Sequence, residues 1–139
     1  MTQRILYVED NPNNMLLVQR IVEADGYTLL QAKDGESGWE TAVTHHPDLI
    51  LMDLHLPGSM TGFDLTLKIK QNAALRHIPI VALTAFGNAE AEQACLDAGC
   101  DGFLTKPADI RQIRATLRQY LPQPVVMAER DTAVTYAYI

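Results

Sequence analysis

Residues 47–62 read PDLILMDLHLPGSMTG. From Leu49 to Leu54 every side chain is apolar except Asp53. An almost continuous apolar run is what a strand needs when both faces of its sheet are covered. This run closes on a carboxylate, just before a loop that carries Pro57-Gly58. The neighbouring segments explain why an acid stands there.

Apolar runs and helical patterns alternate on both sides of this stretch. Strands are expected at 4–8 (RILYV), 28–32 (TLLQA), 48–53 (DLILMD), 78–84 (IPIVALT) and 102–105 (GFLT). Asn11-Pro12 reads as N-cap and first position of a helix over 12–25, which stops at Gly26. Asp34 caps a helix to about residue 45. Further helices are expected over 62–71, over 88–98 with Gly99 as its end, and over 108–121. Strands that alternate with helices in this way imply a parallel sheet covered on both faces. The units are too few for an eightfold barrel. The predicted fold is α/β: a doubly wound, five-stranded, flavodoxin-like sheet of order 2-1-3-4-5 with right-handed crossovers. In the last helix, Ile110, Ile113, Leu117 and Leu121 form the core-facing stripe, and Arg111, Arg114 and Arg118 a solvated one.

The chain of 139 residues is long enough for one domain with a single core, and 47% hydrophobic residues is the proportion of an ordinary globular protein. A net charge of -6 argues against direct nucleic-acid binding driven by counterion release. No apolar run reaches the length of a membrane span, and the start MTQRILYVED does not resemble a signal peptide. Cys95 and Cys100 form no CxxC motif and read as two reduced thiols of a cytosolic protein.

In doubly wound sheets ligands bind beyond the carboxyl ends of the strands, at the switch in strand order. That rule selects Glu9, Asp10 and Asn11 after the first strand, Asp53 after the third, Thr84 and Ala85 after the fourth, and Thr105, Lys106 and Pro107 after the fifth. Three carboxylates, a hydroxyl and a lysine thus converge. Carboxylates crowded together raise one another's pKa, and a divalent cation relieves them. The hard oxygen donors suit Mg²⁺ better than Zn²⁺. Lys106 and Thr84 can serve a second anion, so the set describes a phosphoryl site with a carboxylate as acceptor.

With ILYVEDNPNN, PDLILMDLHLP, IPIVALTA and GFLTKP in this order and spacing, residues 3 to about 121 resemble the receiver domain of bacterial two-component response regulators. The resemblance implies a role for each residue. Asp53 would accept a phosphoryl group from a histidine kinase or histidine phosphotransfer protein. Glu9 and Asp10 would be the acidic pair for Mg²⁺, Asp10 binding it more directly and Glu9 through water, together with Asp53 and the backbone carbonyl of His55. Thr84 would bind a phosphoryl oxygen, and Lys106 would neutralise its charge. A cis peptide would join Lys106 to Pro107, and Phe103 would be the switch aromatic, lacking the hydroxyl of a tyrosine version. The modified protein would change its fourth-helix, fifth-strand and fifth-helix face and thereby its binding of a downstream protein target in the cytoplasm. A homodimer through that face or through the tail is a further expectation.

The resemblance also marks departures. Glu9 stands where aspartate is also common, the loop after Asp53 is about one residue longer, and Phe86 could shield the pocket from water. Residues 1–121 would be the receiver domain, and 122–139 a tail without an output domain that packs on its own domain or on a second subunit. A phosphorelay intermediate or phosphate sink is the alternative within the same fold. A phosphohydrolase of the haloacid-dehalogenase type would need a second aspartate two residues after Asp53, where His55 stands. A flavin carrier would need a phosphate loop in place of the acidic VEDNPNN. No enzyme activity beyond self-phosphorylation and autodephosphorylation is expected.

Overall fold

The elements follow one another as β1 (Arg4–Val8), α1 (Pro12–Ala24), β2 (Thr28–Ala32), α2 (Gly35–His45), β3 (Leu49–Asp53), α3 (Gly62–Lys70), β4 (Ile80–Thr84), α4 (Ala89–Ala98), β5 (Gly102–Thr105) and α5 (Ile110–Tyr120). This computed structural model describes residues 2–85 and 87–122. The expectations for Phe86 and for the tail from 123 onward therefore lie outside the described residues. All strand pairs are parallel, in the order β2-β1-β3-β4-β5.

Side-chain alternation along the strands builds two cores, one on each face of the sheet. Leu6, Val8, Ile50, Met52, Ile80 and Ala82 face α2, α3 and α4, where they meet Ala42, Leu65, Ile69 and Cys95. Ile5, Tyr7, Leu49, Leu51, Val81 and Leu83 face α1 and α5, where they meet Val18, Val22, Ile113 and Leu117. β3 and β4 are buried along their whole length, as their composition requires.

Short polar side chains start the helices. Asn11 accepts from the N–H groups of Asn13 and Asn14, Asp34 from that of Ser37, and Asn88 from that of Ala91. α5 departs from the sequence reading. It starts two residues later than expected, because Asp109 is its N-cap in a capping box with Gln112. Ile110 is then in the first turn, beyond the sheet, and is 48% exposed instead of facing the core. It borders an open hollow with Leu17, Ala108, Asp109 and Arg111. Arg114 is not on a solvated stripe either. Its Nε lies 3.2 Å from Asp25 Oδ1 at the end of α1, and both side chains are largely covered. Cys95 and Cys100 are free and buried, brought together where Cys100 N–H bonds to the Cys95 carbonyl around Gly99 at the end of α4.

The register delivers the acids to one edge. Val8 pairs with Met52, Asp53 with Leu83, and Thr84 with Thr105. The chain leaving β3 then crosses itself tightly. The Gly62 N–H bonds to the Leu54 carbonyl at 3.1 Å. A Cβ on Gly62 would lie 2.3 Å from the Asp53 carbonyl oxygen and 2.6 Å from Leu54 Cα, both backbone atoms that cannot step aside. Gly62→Ala is accordingly expected to lose about 2–3 kcal/mol of stability, read as a lower urea midpoint with an unchanged slope. The rest of this loop is pinned on α2. Ser59 Oγ donates to Glu36 Oε1 at 3.1 Å, and Met60 lies close against Gly35.

Candidate functional site

Glu9 is the first residue beyond β1 and is only 3% exposed, an unusual burial for a carboxylate. Its oxygens are well supplied with donors. Oε1 accepts from the Tyr7 hydroxyl at 2.8 Å, from Asn14 Nδ2 at 3.3 Å and from Lys106 Nζ in a short ion pair. Oε2 accepts from the Asn11 N–H at 3.2 Å. The same Lys106 ammonium reaches Asp53 Oδ2 at 3.4 Å. The other Asp53 oxygen, Oδ1, accepts from the His55 N–H at 3.1 Å.

Lys106 is steered to this place by its backbone. Its N–H bonds to the Thr84 carbonyl at 2.7 Å, which ties β5 to the end of β4, and the Lys106–Pro107 peptide is cis. Thr84 itself is buried at the last position of β4. Phe103 is half-buried, pairs with Ala82 in the ladder and packs against the α2–α4 side of the core. Asp10 is exposed, yet one carboxylate oxygen from each of Glu9, Asp10 and Asp53 can be chosen so that all lie within 4.8 Å of one another. Such a set of hard oxygens fits a small divalent cation like Mg²⁺.

The electrostatics split the two buried acids. Burial pushes the Glu9 carboxyl up, but Lys106, Tyr7 and the Asn11 N–H outweigh it and hold the group below the usual glutamate range. Burial also pushes Asp53 up, and there the Glu9 charge adds to it; the His55 N–H and Lys106 offset only part, so the group stays above its ordinary value. Burial first, then the Glu9 charge, drive the Tyr7 phenol far up, so it acts as a donor.

Because the folded-state pKa of Asp53 is raised, its contribution is favourable below the unfolded value of about 3.9 and is lost as pH rises through the folded one. Without divalent cations, Asp53→Asn is expected to melt higher than wild type at pH 7, by about 3 °C for each kcal/mol relieved, and no higher at pH 3. Mg²⁺ at a hundred times its Kd should stabilise the wild type by about 2.7 kcal/mol. Equal melting temperatures at pH 7 in metal-free buffer would show that Asp53 carries no such penalty.

A family model for the response regulator receiver domain matches residues 5–118. The chain belongs to the response regulator receiver family. Among curated receiver proteins it is similar to the polar-differentiation response regulator DivK of Brucella ovis, 38% identical over 121 residues that span 87% of this chain and 98% of that one. Among solved structures it is similar to the chemotaxis protein CheY4 of Vibrio cholerae, with a TM-score of 0.82 and 26% identity over 87% of this chain and all of that one. It is also similar to the receiver domain of a Pseudomonas aeruginosa sensor histidine kinase, with a TM-score of 0.79 and 32% identity over 86% of this chain and 98% of that one. That structure holds a magnesium ion coordinated in its active site cleft.

Of the receiver residues picked out from sequence, the fold brings Glu9, Asp10, Asp53 and Lys106 into one cluster. Thr84 joins it through the Lys106 backbone, and His55 through its N–H on Asp53. Two supporting residues were not singled out by the sequence reading. Tyr7 precedes Glu9 by two in the same chain segment, so the period of a strand could have placed both on one face. Asn14 reaches Glu9 across the first turn of α1, and no spacing rule marks it.

Proposed function

We propose that this receiver accepts a phosphoryl group on Asp53 from a histidine kinase or histidine phosphotransfer protein and thereby switches its binding to a downstream protein. The observation that carries the reading is the placement of Asp53. It is a 7% exposed acid at the end of a buried strand, shares the Lys106 ammonium with Glu9, and lies in a carboxylate cluster fit for a cation.

In this mechanism an Asp53 carboxylate oxygen attacks phosphorus in line. The new P–O bond forms as the P–N bond to the donor histidine breaks, and the bonding pair leaves on the imidazole nitrogen. Glu9, Asp10, Asp53 and the His55 backbone carbonyl would hold Mg²⁺, which supplies charge neutralisation at the phosphoryl oxygens. Lys106 pairs with the added charge, about two negative charges at neutral pH, and Thr84 donates its hydroxyl to a phosphoryl oxygen. Thr84 and Phe103 lie on the same face of the sheet, through the Ala82–Phe103 pair. As Thr84 moves toward the phosphoryl group, Phe103 turns inward, and the α4–β5–α5 face shifts between two states. That face binds the downstream target or a second copy of the chain. The protein works in the cytoplasm, and its own chemistry is limited to self-phosphorylation and autodephosphorylation. Among the described residues no helix is long and apolar enough to cross a membrane.

Incubation with acetyl phosphate, with and without Mg²⁺, tests the proposal. Intact-mass analysis should show one phosphoryl group, dependent on Mg²⁺ and mapped to the peptide that contains Asp53. An unmodified mass at every Mg²⁺ concentration would overturn it. Onward transfer from the modified chain to a histidine phosphotransfer protein would assign it instead to a relay or phosphate sink.

A further inference from the structure

The Tyr7 phenol has no part in the chemistry just described, yet it is the nearest neutral donor to Glu9, 2.8 Å from Oη to Oε1. We propose that Tyr7 is a positioning residue that holds the Glu9 carboxylate in place for the divalent cation, a role that rests on the reading of Glu9 as part of the metal site.

Three observations support it. First, glutamate carries one more rotatable bond than aspartate, so its carboxylate must be fixed by something beyond its own backbone. Tyr7 is suited to this, because it is 1% exposed and belongs to the core on the α1–α5 side of the sheet. Second, the other strong donor to Oε1 is Lys106, which also spans to Asp53. Its positive charge competes with any cation for the same carboxylates. A phenol is neutral, so it orients Glu9 without adding that competition. Third, Asn14 Nδ2 is farther from Oε1, at 3.3 Å, and the Asn11 N–H serves the other oxygen. Loss of the phenol would therefore leave Oε1 with the lysine and a long amide contact. Partners of metal ligands that act in this way change metal affinity by about 10–100-fold when removed.

The test is Mg²⁺ binding by calorimetry on the full chain, for wild type, Tyr7→Phe, Glu9→Gln and the double variant. Tyr7→Phe is expected to weaken Mg²⁺ by about tenfold. In the Glu9→Gln background the same change should alter affinity by less than about twofold, since the partner it positions has lost its charge. Saturating Mg²⁺ should restore the phosphorylation rate of Tyr7→Phe, so the defect lies in metal affinity and not in the maximal rate. A folded Tyr7→Phe that binds Mg²⁺ as tightly as wild type would overturn the proposal and leave the phenol as a core hydroxyl that found an acceptor. If wild type and Glu9→Gln also bind alike, Glu9 is outside the metal site and its assignment there fails, whereas the phosphorylation of Asp53 stands or falls on the acetyl phosphate assay. Should Tyr7→Phe not fold, proton NMR of the wild type decides. The buried Tyr7 hydroxyl proton should stay protected and change its shift on Mg²⁺ saturation, whereas its loss to fast exchange would count against the proposal.

Discussion

Asp53→Asn is expected to abolish phosphorylation from acetyl phosphate and from a phosphohistidine donor, a loss of more than about a thousandfold in rate. The amide keeps the size of the acid and an oxygen that can accept the His55 N–H, so the loop after β3 has no reason to rearrange. What disappears is the anion proposed as the nucleophile. The expected combination is diagnostic. The variant should be inert in the phosphoryl assay and yet at least as stable as wild type in metal-free buffer at pH 7, because the raised pKa of Asp53 marks it as a charge the fold holds at a cost. A variant that lost phosphorylation by unfolding would melt lower, and the two explanations part on one thermal scan. Residual phosphorylation above about one thousandth of wild type would mean that another residue accepts the group.

Lys106→Met should produce the second-largest change, and in the opposite sense for stability. The ammonium is the cation shared by Glu9, whose side chain is 1% exposed, and Asp53, whose side chain is 10% exposed. Removing it leaves two buried acids facing each other. Breaking a buried pair costs about 3–5 kcal/mol, and the partial exposure of Lys106 lowers the expectation to about 2 kcal/mol at pH 7. The pH dependence has a definite sign. In the wild type the depressed Glu9 pKa contributes stability above the unfolded value of about 4.3, and this is lost as pH falls through the folded one. In the variant, burial is no longer outweighed by the lysine, and acidification relieves it. The stability gap between the two proteins should therefore close below about pH 4. Phosphorylation should fall by about a hundredfold, the usual effect of losing one preorganised charge at a developing anion. Mg²⁺ should bind more tightly, because the carboxylates have lost a competing cation. Weaker Mg²⁺ binding in Lys106→Met would show that the lysine assembles the acidic cluster instead of competing for it.

The readable parts of this protein are those governed by neighbours in the chain. DLILMD at 48–53 reads as a strand covered on both faces, which the structure places at Leu49–Asp53, and Asn11, Asp34 and Asn88 start helices because each satisfies N–H groups within three residues of itself. The same local reasoning misjudged α5. Ile110 has the spacing of a core residue, but the capping box at Asp109 puts it in the first turn, past the end of the sheet. Arg114 shares its helical spacing with Arg111 and Arg118, and only the packing of α5 beside α1 sets Asp25 within reach of it.

The candidate site divides along the same line. Which acids end which strands follows from the order of residues alone, since strand order and the crossover rule carry Glu9, Asp10 and Asp53 to one edge of the sheet. How those acids are held depends on partners that packing brings from far along the chain. Lys106 lies 97 residues from Glu9 in the chain and becomes its ion-pair partner, and the Gly62 crossing fixes the backbone behind Asp53. The physical reason is the reach of the forces involved. Caps and side-chain alternation act within a few residues, whereas desolvation and Coulomb attraction depend on what the fold places nearby in space. They depress Glu9 and raise Asp53, two acids that the sequence writes with the same charge.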